Sequence, residues 1–593
     1  GVLEPDLYKV YVRTPHGETF VEEFVSDFSY SLGQGRNIDL PNYPPMVLGA
    51  MVVEEGHLFA GVRAGELSAR SNGYNRFLME QGLEIYDVSI WERPVRLSQL
   101  PLPGPVTGLG VVDELLYVAA GHAGVQIVDV TDKQHPLVIS TLDLNGYDAN
   151  DLSIDRAQQV VAVAAASDIG DGFIRFFNLR DTHMGPASGF QTIVFESAGE
   201  IVGKPLDVQW KDGRLYVLAL QGQEQSSQGI LRLYVFDSFG DAPSYNVDII
   251  DRHDQAGASA DYSMHVQNGR VFLSMPSGGT QQLMTLEGTP ETGFFIVEWR
   301  DVDDVEITQY FGGLFVSDSQ GVAASFANRL YVSDVMPTAA SVIGVGDTIR
   351  VQFSNLINTD AIGSENVLLS EGEYRVTPIN TVAGGYIDIT IENVLNPGVV
   401  SLQIQGIKDL KGNVLSQPVN VSYTLVSEAK PVISAVGKAH AVGETIVEEA
   451  SHYFHGDGLS TETVVVYGQG LNDGIFLVGE TEISDVNITE DGSKAIFTLP
   501  NLNLDSLMMA QSLTVTKTIN AVDVSAVRFG ALLITPTIEV YDVSPLSGPP
   551  EGGNTVDIYG RGFNHQVQVK FNGAVAGDLR VLSSGHIQVR VPS

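Results

Sequence analysis

Apolar and polar positions alternate over short runs through most of this chain, and turn chemistry interrupts them every five to eight residues. The clearest instance is Gly104 to Leu142. There Val106–Val112, Leu115–Ala120, Val125–Val130 and Leu137–Leu142 are separated by Asp-Glu, Gly-His-Ala-Gly and Thr-Asp-Lys-Gln-His-Pro. Period-two and short continuous apolar runs bounded by such residues predict strands, here four in succession. A lone four-stranded sheet cannot bury both of its faces, so the pattern predicts one blade of a β-propeller with further copies packed beside it.

Those copies can be read from the sequence. The second-strand run Leu-Leu-Tyr-Val recurs as His57-Leu-Phe-Ala, Val160-Val-Ala-Val, Arg214-Leu-Tyr-Val, Arg270-Val-Phe-Leu and Arg329-Leu-Tyr-Val. The third-strand run Gly124-Val-Gln-Ile-Val-Asp-Val recurs as Gly82-Leu-Glu-Ile-Tyr-Asp-Val and, more loosely, from Phe173, Leu231 and Gly293. The matching positions Asp87, Asp129, Asn178, Asp237 and Glu298 are separated by 42, 49, 59 and 61 residues. The drift assigns extra length to loops at 221–229 and 276–292, which together with 63–81 are expected to form one rim. Gly124-Val-Gln-Ile-Val-Asp-Val-Thr with Pro136, and the second copy at Gly82–Pro94, resemble the LVIVD repeat of bacterial surface β-propellers. The resemblance covers about Met46–Val335 and implies a fold and a secreted setting, with no catalytic residues to carry over.

Residues 1–45 hold two strand-like runs, Leu7–Val12 and Thr19–Val25. They either close the ring, adding two strands to the two at Gly321–Phe326 and Arg329–Val335 for about six blades, or end a preceding sandwich. The propeller is thus expected over 46–336. Residues 337–426 alternate over longer strands, as in Thr348-Ile-Arg-Val-Gln-Phe and Tyr386-Ile-Asp-Ile-Thr-Ile, and read as an immunoglobulin-like sandwich. Gly406-Ile-Lys-Asp-Leu-Lys-Gly-Asn-Val-Leu resembles the late hairpin of bacterial Ig-like modules. Residues 427–536 form another candidate sandwich, resembling a degenerate IPT/TIG domain. From 537 to 593, Val543-Ser-Pro-Leu-Ser-Gly-Pro-Pro-Glu-Gly-Gly-Asn-Thr and Gly560-Arg-Gly-Phe resemble the opening of an IPT/TIG domain. That copy stops at Ser593, so it is expected to be incomplete, its remainder supplied by further chain or by a partner. The start at Gly1, with neither Met nor a leader, suggests a mature or internal part of a longer polypeptide.

The fold class is therefore all-β: a propeller of about six blades followed by tandem immunoglobulin-like sandwiches. Thirty-three basic against 72 acidic residues give a net charge of −39, which opposes nucleic acid and anionic lipid. There is no cysteine, which excludes disulfides, zinc-thiolate sites and cysteine nucleophiles. No run of 18 apolar residues predicts a transmembrane helix.

Candidate chemistry is sparse. The inner strands of two blades begin Ala149-Asn-Asp-Leu and Pro205-Leu-Asp-Val, so Asp151 and Asp207 are the candidate ligand-binding pair at one channel mouth. They would coordinate a cation such as calcium or a polar ligand, or simply hydrogen-bond a neighbouring blade's backbone. Asp168, Asp171, Asp303 and Asp304 match no calcium-loop spacing. His452, His455 and Asp457 have metal-ligand types, but Gly456 and Gly458 argue for a loop that would not aim them together. Sialidase boxes, a Gly-x-Ser-x-Gly elbow and nucleotide-binding glycine motifs are absent, and Trp210 and Trp299 read as core. The expectation is a non-enzymatic bacterial extracellular or cell-surface protein for adhesion or assembly. Its propeller would bind protein or surface polysaccharide, with the sandwiches as spacers. The alternatives are a channel-mouth hydrolase or lyase and a structural subunit.

Overall fold

The computed structural model describes residues 47–592 apart from short segments, the longest being 64–81, 500–508, 180–186 and 255–261. Before residue 47 it describes three strands, Val10–Thr14, Gly17–Val21 and Gly35–Ile38.

Six four-stranded antiparallel sheets make the first half. Blade one is Val47–Glu54, His57–Arg63, Gly82–Asp87 and Val95–Pro101, and blade two is Gly108–Val112, Leu115–Ala119, Val125–Asp129 and Leu137–Leu142. Blades three, four and five follow from Asp148, Lys204 and Ser263. Each blade's first strand packs against the first strands of its neighbours, and that of blade six against that of blade one, so the ring is closed. The protein is all-β: a six-bladed propeller followed by three sandwiches.

Closure differs from the expected two-plus-two arrangement. Blade six takes Glu306–Tyr310, Gly313–Asp318 and Gly321–Ser325 from one end, and Gly35–Ile38 pairs with Gly321–Ser325 as the outermost strand. The Arg329–Val335 run does not belong to the ring. Val332–Met336 pairs instead with Thr348–Phe353 in the first sandwich, because its apolar residues complete that core: Val332 packs with Ile349, Val351 and Phe353. Val10–Thr14 and Gly17–Val21 form a separate two-stranded hairpin.

Of the expected long loops, 276–292 is mostly strand, and the described ends of 221–229, Gln221–Gly222 and Gln228–Gly229, are strand, with 223–227 outside the described residues. Arg214–Gly222 pairs with Gln228–Phe236 in blade four, and Arg270–Ser277 with Thr280–Thr289 in blade five, so the extra residues lengthen hairpins. Residues 64–81 of the third expected loop lie outside the described residues.

Each sandwich stacks two sheets over its own apolar core. In the first, Tyr423, Ile387, Ile389 and Leu402 are buried. The second has two five-stranded sheets around Phe454, Phe476, Phe497 and Leu532. The third has a four-stranded sheet and a two-stranded one around Val556, Ile558, Phe563 and Val589.

In an antiparallel meander the first-to-second and third-to-fourth turns lie at one end of every blade. The second-to-third hairpins and the blade-to-blade connections lie at the other. These ends are the lower and upper faces of the ring.

Candidate functional site

Asp151 and Asp207 come together. Both sit just after a bulge in an inner strand, where register shifts between Ala149 and Asp151 in one blade and between Pro205 and Asp207 in the next. A bulge re-aims the side chain that follows it. Here it turns each carboxylate toward the next blade: Val208 N–H donates to Asp151 Oδ2 at 2.9 Å, and Met264 N–H to Asp207 Oδ2 at 2.8 Å. The ladder repeats one step further along the strands, where Trp210 N–H donates to Ser153 Oγ at 2.9 Å and Val266 N–H to Gln209 Oε1 at 2.5 Å. Gln209 Nε2 also meets His265 Nδ1 at 3.3 Å. Gly108 leaves room for this arrangement, because a Cβ there would lie 2.8 Å from the Cα of Asp151. Of the two roles foreseen for the pair, tying blades together is the one these contacts display.

The two carboxyls also hydrogen-bond each other. Burial first, and the neighbouring Asp151 charge second, push Asp207 well above the usual carboxylate range. Two carboxyls in contact hold one proton between them. That proton is the hydrogen that lets two acceptors share one place in the ladder.

His452 belongs to a different site. It does not meet His455 around a metal. The segment folds as a short strand, Tyr453–His455, parallel to Val522–Thr535, which leaves His455 exposed while buried His452 reaches Asp129 of blade two, Nε2 to Oδ2 at 2.8 Å. Asp457 lies outside the described residues. Asp129 is the last residue of the Val-Gln-Ile-Val-Asp run, and its other oxygen accepts Thr131 N–H at 3.1 Å and Thr131 Oγ at 2.7 Å, closing the turn after the strand. No grouping of three or more metal-ligating His, Cys, Asp or Glu side chains occurs among the described residues. Asp171 accepts the Ser167 hydroxyl in its hairpin.

Around His452–Asp129 the second sandwich seats on the lower face of blade two. Arg528 pairs with Glu114, with Nε to Oε1 at 2.8 Å, and Phe529 N–H donates to Asp113 Oδ2 at 2.9 Å. Burial raises the Glu114 carboxyl in spite of Arg528, and its Oε2 is buried without a hydrogen bond. Ala510, Phe529 and Leu533 join one apolar cluster with Val112, Leu115, Tyr117 and Ile127 of the propeller. Gly530, at φ +67°, fits because a Cβ there would lie 2.7 Å from Leu115 Cγ. The third sandwich continues the contact along the outer strand of blade two: Ser584 N–H donates to the Val138 carbonyl at 3.1 Å, and the His565 and His135 rings lie 5.4 Å apart. The last two sandwiches are therefore folded back against the ring, not strung out as spacers. The upper face, with its lengthened hairpins in blades four and five, lies at the opposite end.

Comparison with known proteins assigns two segments. Residues 327–425 match the bacterial Ig-like domain and residues 538–593 the IPT/TIG domain. The resemblance of the propeller to LVIVD repeats has no counterpart among these matches. No curated protein matches the chain. Among solved structures, it is similar to BamB from Moraxella catarrhalis, at 10% identity and a TM-score of 0.29 over 48% of this chain and 84% of that one. It is also similar to an α-L-arabinofuranosidase from Clostridium thermocellum, at 9% identity and a TM-score of 0.30 over 44% and 97%. A third is the WD40 repeats of RRP9, at 9% identity and a TM-score of 0.31 over 50% and 97%. The six-bladed ring is established by the chain's own strand pairing and not by these likenesses. Bacterial Ig-like and IPT/TIG domains with a propeller define a multidomain protein of the surface type. Among the described residues no helix is long and apolar enough to cross a membrane.

Proposed function

We propose that this chain is a bacterial extracellular or cell-surface protein that uses the upper face of an LVIVD-type propeller to bind a protein or surface polysaccharide in adhesion or assembly. The observation that carries this is the asymmetry of the ring. The lower face of blade two is covered by the second sandwich, while the opposite face carries hairpins that a rigid scaffold lets vary in length. A net charge of −39 favours neutral or cationic partners over nucleic acid. We read the channel as non-catalytic. Carboxyl pairs that hydrolyse glycosides stand about 5–9 Å apart with substrate or water between them, whereas Asp151 and Asp207 touch each other and already accept backbone N–H groups.

The chain has no cysteine, so a single introduced thiol fixes its orientation on a surface. Attachment through Asn145→Cys, in an exposed upper-face connection, is expected to abolish binding of source cells and of their purified envelope polysaccharide and proteins. Attachment through Leu395→Cys, exposed on the first sandwich, is expected to preserve it. Equal binding in the two orientations would remove the upper face as the site.

A further inference from the structure

We propose that the contact of the third sandwich with blade two is a proton-sensitive latch, closed at neutral pH and released by mild acid, while the adjoining contact of the second sandwich stays closed. The geometry lies in the histidines that cross the boundary. His565, between the strands Thr555–Arg561 and Lys570–Phe571, presses its ring on His135 of the turn before Leu137–Leu142. The Pro136 carbonyl hydrogen-bonds the His565 ring, and Nε2 is buried with no hydrogen-bond partner.

A proton added at Nε2 would be placed in a site with no acceptor, beside a second imidazole whose charge opposes it. That second ring has a carboxylate to itself, since His135 Nδ1 lies 2.7 Å from Asp132 Oδ2. The groups facing His565 from the propeller are His135, Asp132 and Asp129, and the two carboxylates only partly offset the effect. Burial first, and the His135 charge second, hold His565 below its ordinary value. Neighbours on its own loop are neutral, with Gln566 N–H bonded to Asn564. The sign follows from linkage: a histidine depressed in the docked state and ordinary in the released state weakens docking as pH falls below about 6.5. At the second sandwich the group facing the histidine is instead a carboxylate, with His452 Nε2 2.8 Å from Asp129 Oδ2. The second sandwich therefore has no reason to leave in acid.

Two backbone amides report the two contacts separately: Ser584 N–H, bonded to Val138 of blade two, and Phe529 N–H, bonded to Asp113. Amide exchange resolved to single residues, corrected for its intrinsic pH dependence, is to be followed on the full chain from about pH 7.5 to about pH 5.5. The opening ratio at Ser584 is expected to rise by up to about tenfold per pH unit below about 6.5, with Phe529 unchanged. His565→Asn is expected to flatten the Ser584 response. If that variant unfolds the third sandwich, seen as lost protection across Thr555–Arg561, His135→Asn is the second test. It removes an exposed ring and should narrow the pH range of the response. A pH-independent Ser584 in the native chain overturns the proposal, as does an undiminished response in His565→Asn or an unchanged range in His135→Asn.

Discussion

Replacing Asp207 by alanine and by asparagine separates the two jobs its carboxyl performs. The residue is 8% exposed, and its carboxyl accepts Met264 N–H at 2.8 Å and shares a hydrogen with Asp151. Asp207→Ala leaves the Met264 N–H buried without an acceptor, which costs about 1–3 kcal/mol. In a unit the size of the ring this lowers the midpoint of its unfolding transition by roughly 2–4 °C per kcal/mol. Asp207→Asn keeps an oxygen for Met264 and supplies its own N–H to Asp151 without a titratable proton. The carboxyl of Asp207 is raised in the folded ring, so its contribution is complete below the unfolded value of about 3.9 and is lost as pH rises toward the folded value. The native chain should therefore lose stability relative to Asp207→Asn between acid and neutral pH, by up to about 1.4 kcal/mol per pH unit. Differential scanning calorimetry at a series of pH values, following the transition that Asp207→Ala lowers, measures both effects. A native-minus-asparagine difference that does not change with pH, or an asparagine variant as damaged as the alanine one, would refute a shared proton as the link between blades three and four.

Other substitutions probe the docked sandwiches and the ring. Arg528→Ala strands the buried Glu114 carboxylate and should cost about 3–5 kcal/mol of docking, read as faster proteolysis between the second sandwich and the ring. Arg528→Met with Glu114→Gln should recover most of that. His452→Ala leaves a buried oxygen of Asp129 unpaired and should cost about 1–3 kcal/mol, without altering any metal content of the purified protein. Gly530→Val meets both a positive φ and Leu115, and should displace the second sandwich as seen by small-angle scattering. Gly108→Ala drives a methyl into Asp151 and should lower the midpoint of the ring's thermal transition, with the sandwich transitions unchanged.

The parts of this fold that could be read from the sequence are those in which one blade face is apolar. Val125–Asp129 and Leu115–Ala119 are buried along their whole length, and such runs announce themselves. The outermost strand of blade six does not: Gly35-Arg-Asn-Ile carries no alternation, because an edge strand with one neighbour is specified by backbone pairing more than by side chains. The hairpin tips Gln221, Gly222 and Gln228, and Ser277, Thr280 and Gln281, are polar in the manner of loops, so strand and loop read alike there. Asp151 and Asp207 stand out as acids opening apolar inner strands. Which way they point depends on bulges that composition does not encode. The pairing of His452 with Asp129 joins residues 323 apart in sequence, and no local pattern could have found it. A histidine beside a tyrosine before a short strand would have been a reason to look for a buried polar partner in place of a metal.

The folding back of the sandwiches onto blade two is tested most directly by a distance. Spin labels on cysteines introduced at Gln134, in the exposed turn of blade two, and at Gln566, exposed on the third sandwich, sit beside the His135 and His565 rings that lie 5.4 Å apart. In a chain with no native cysteine the two labels are the only ones present. Pulsed electron paramagnetic resonance at neutral pH should give a single short and narrow distance. A long or broad distribution would mean that the sandwiches extend away from the ring, and that its lower face is as open as its upper one.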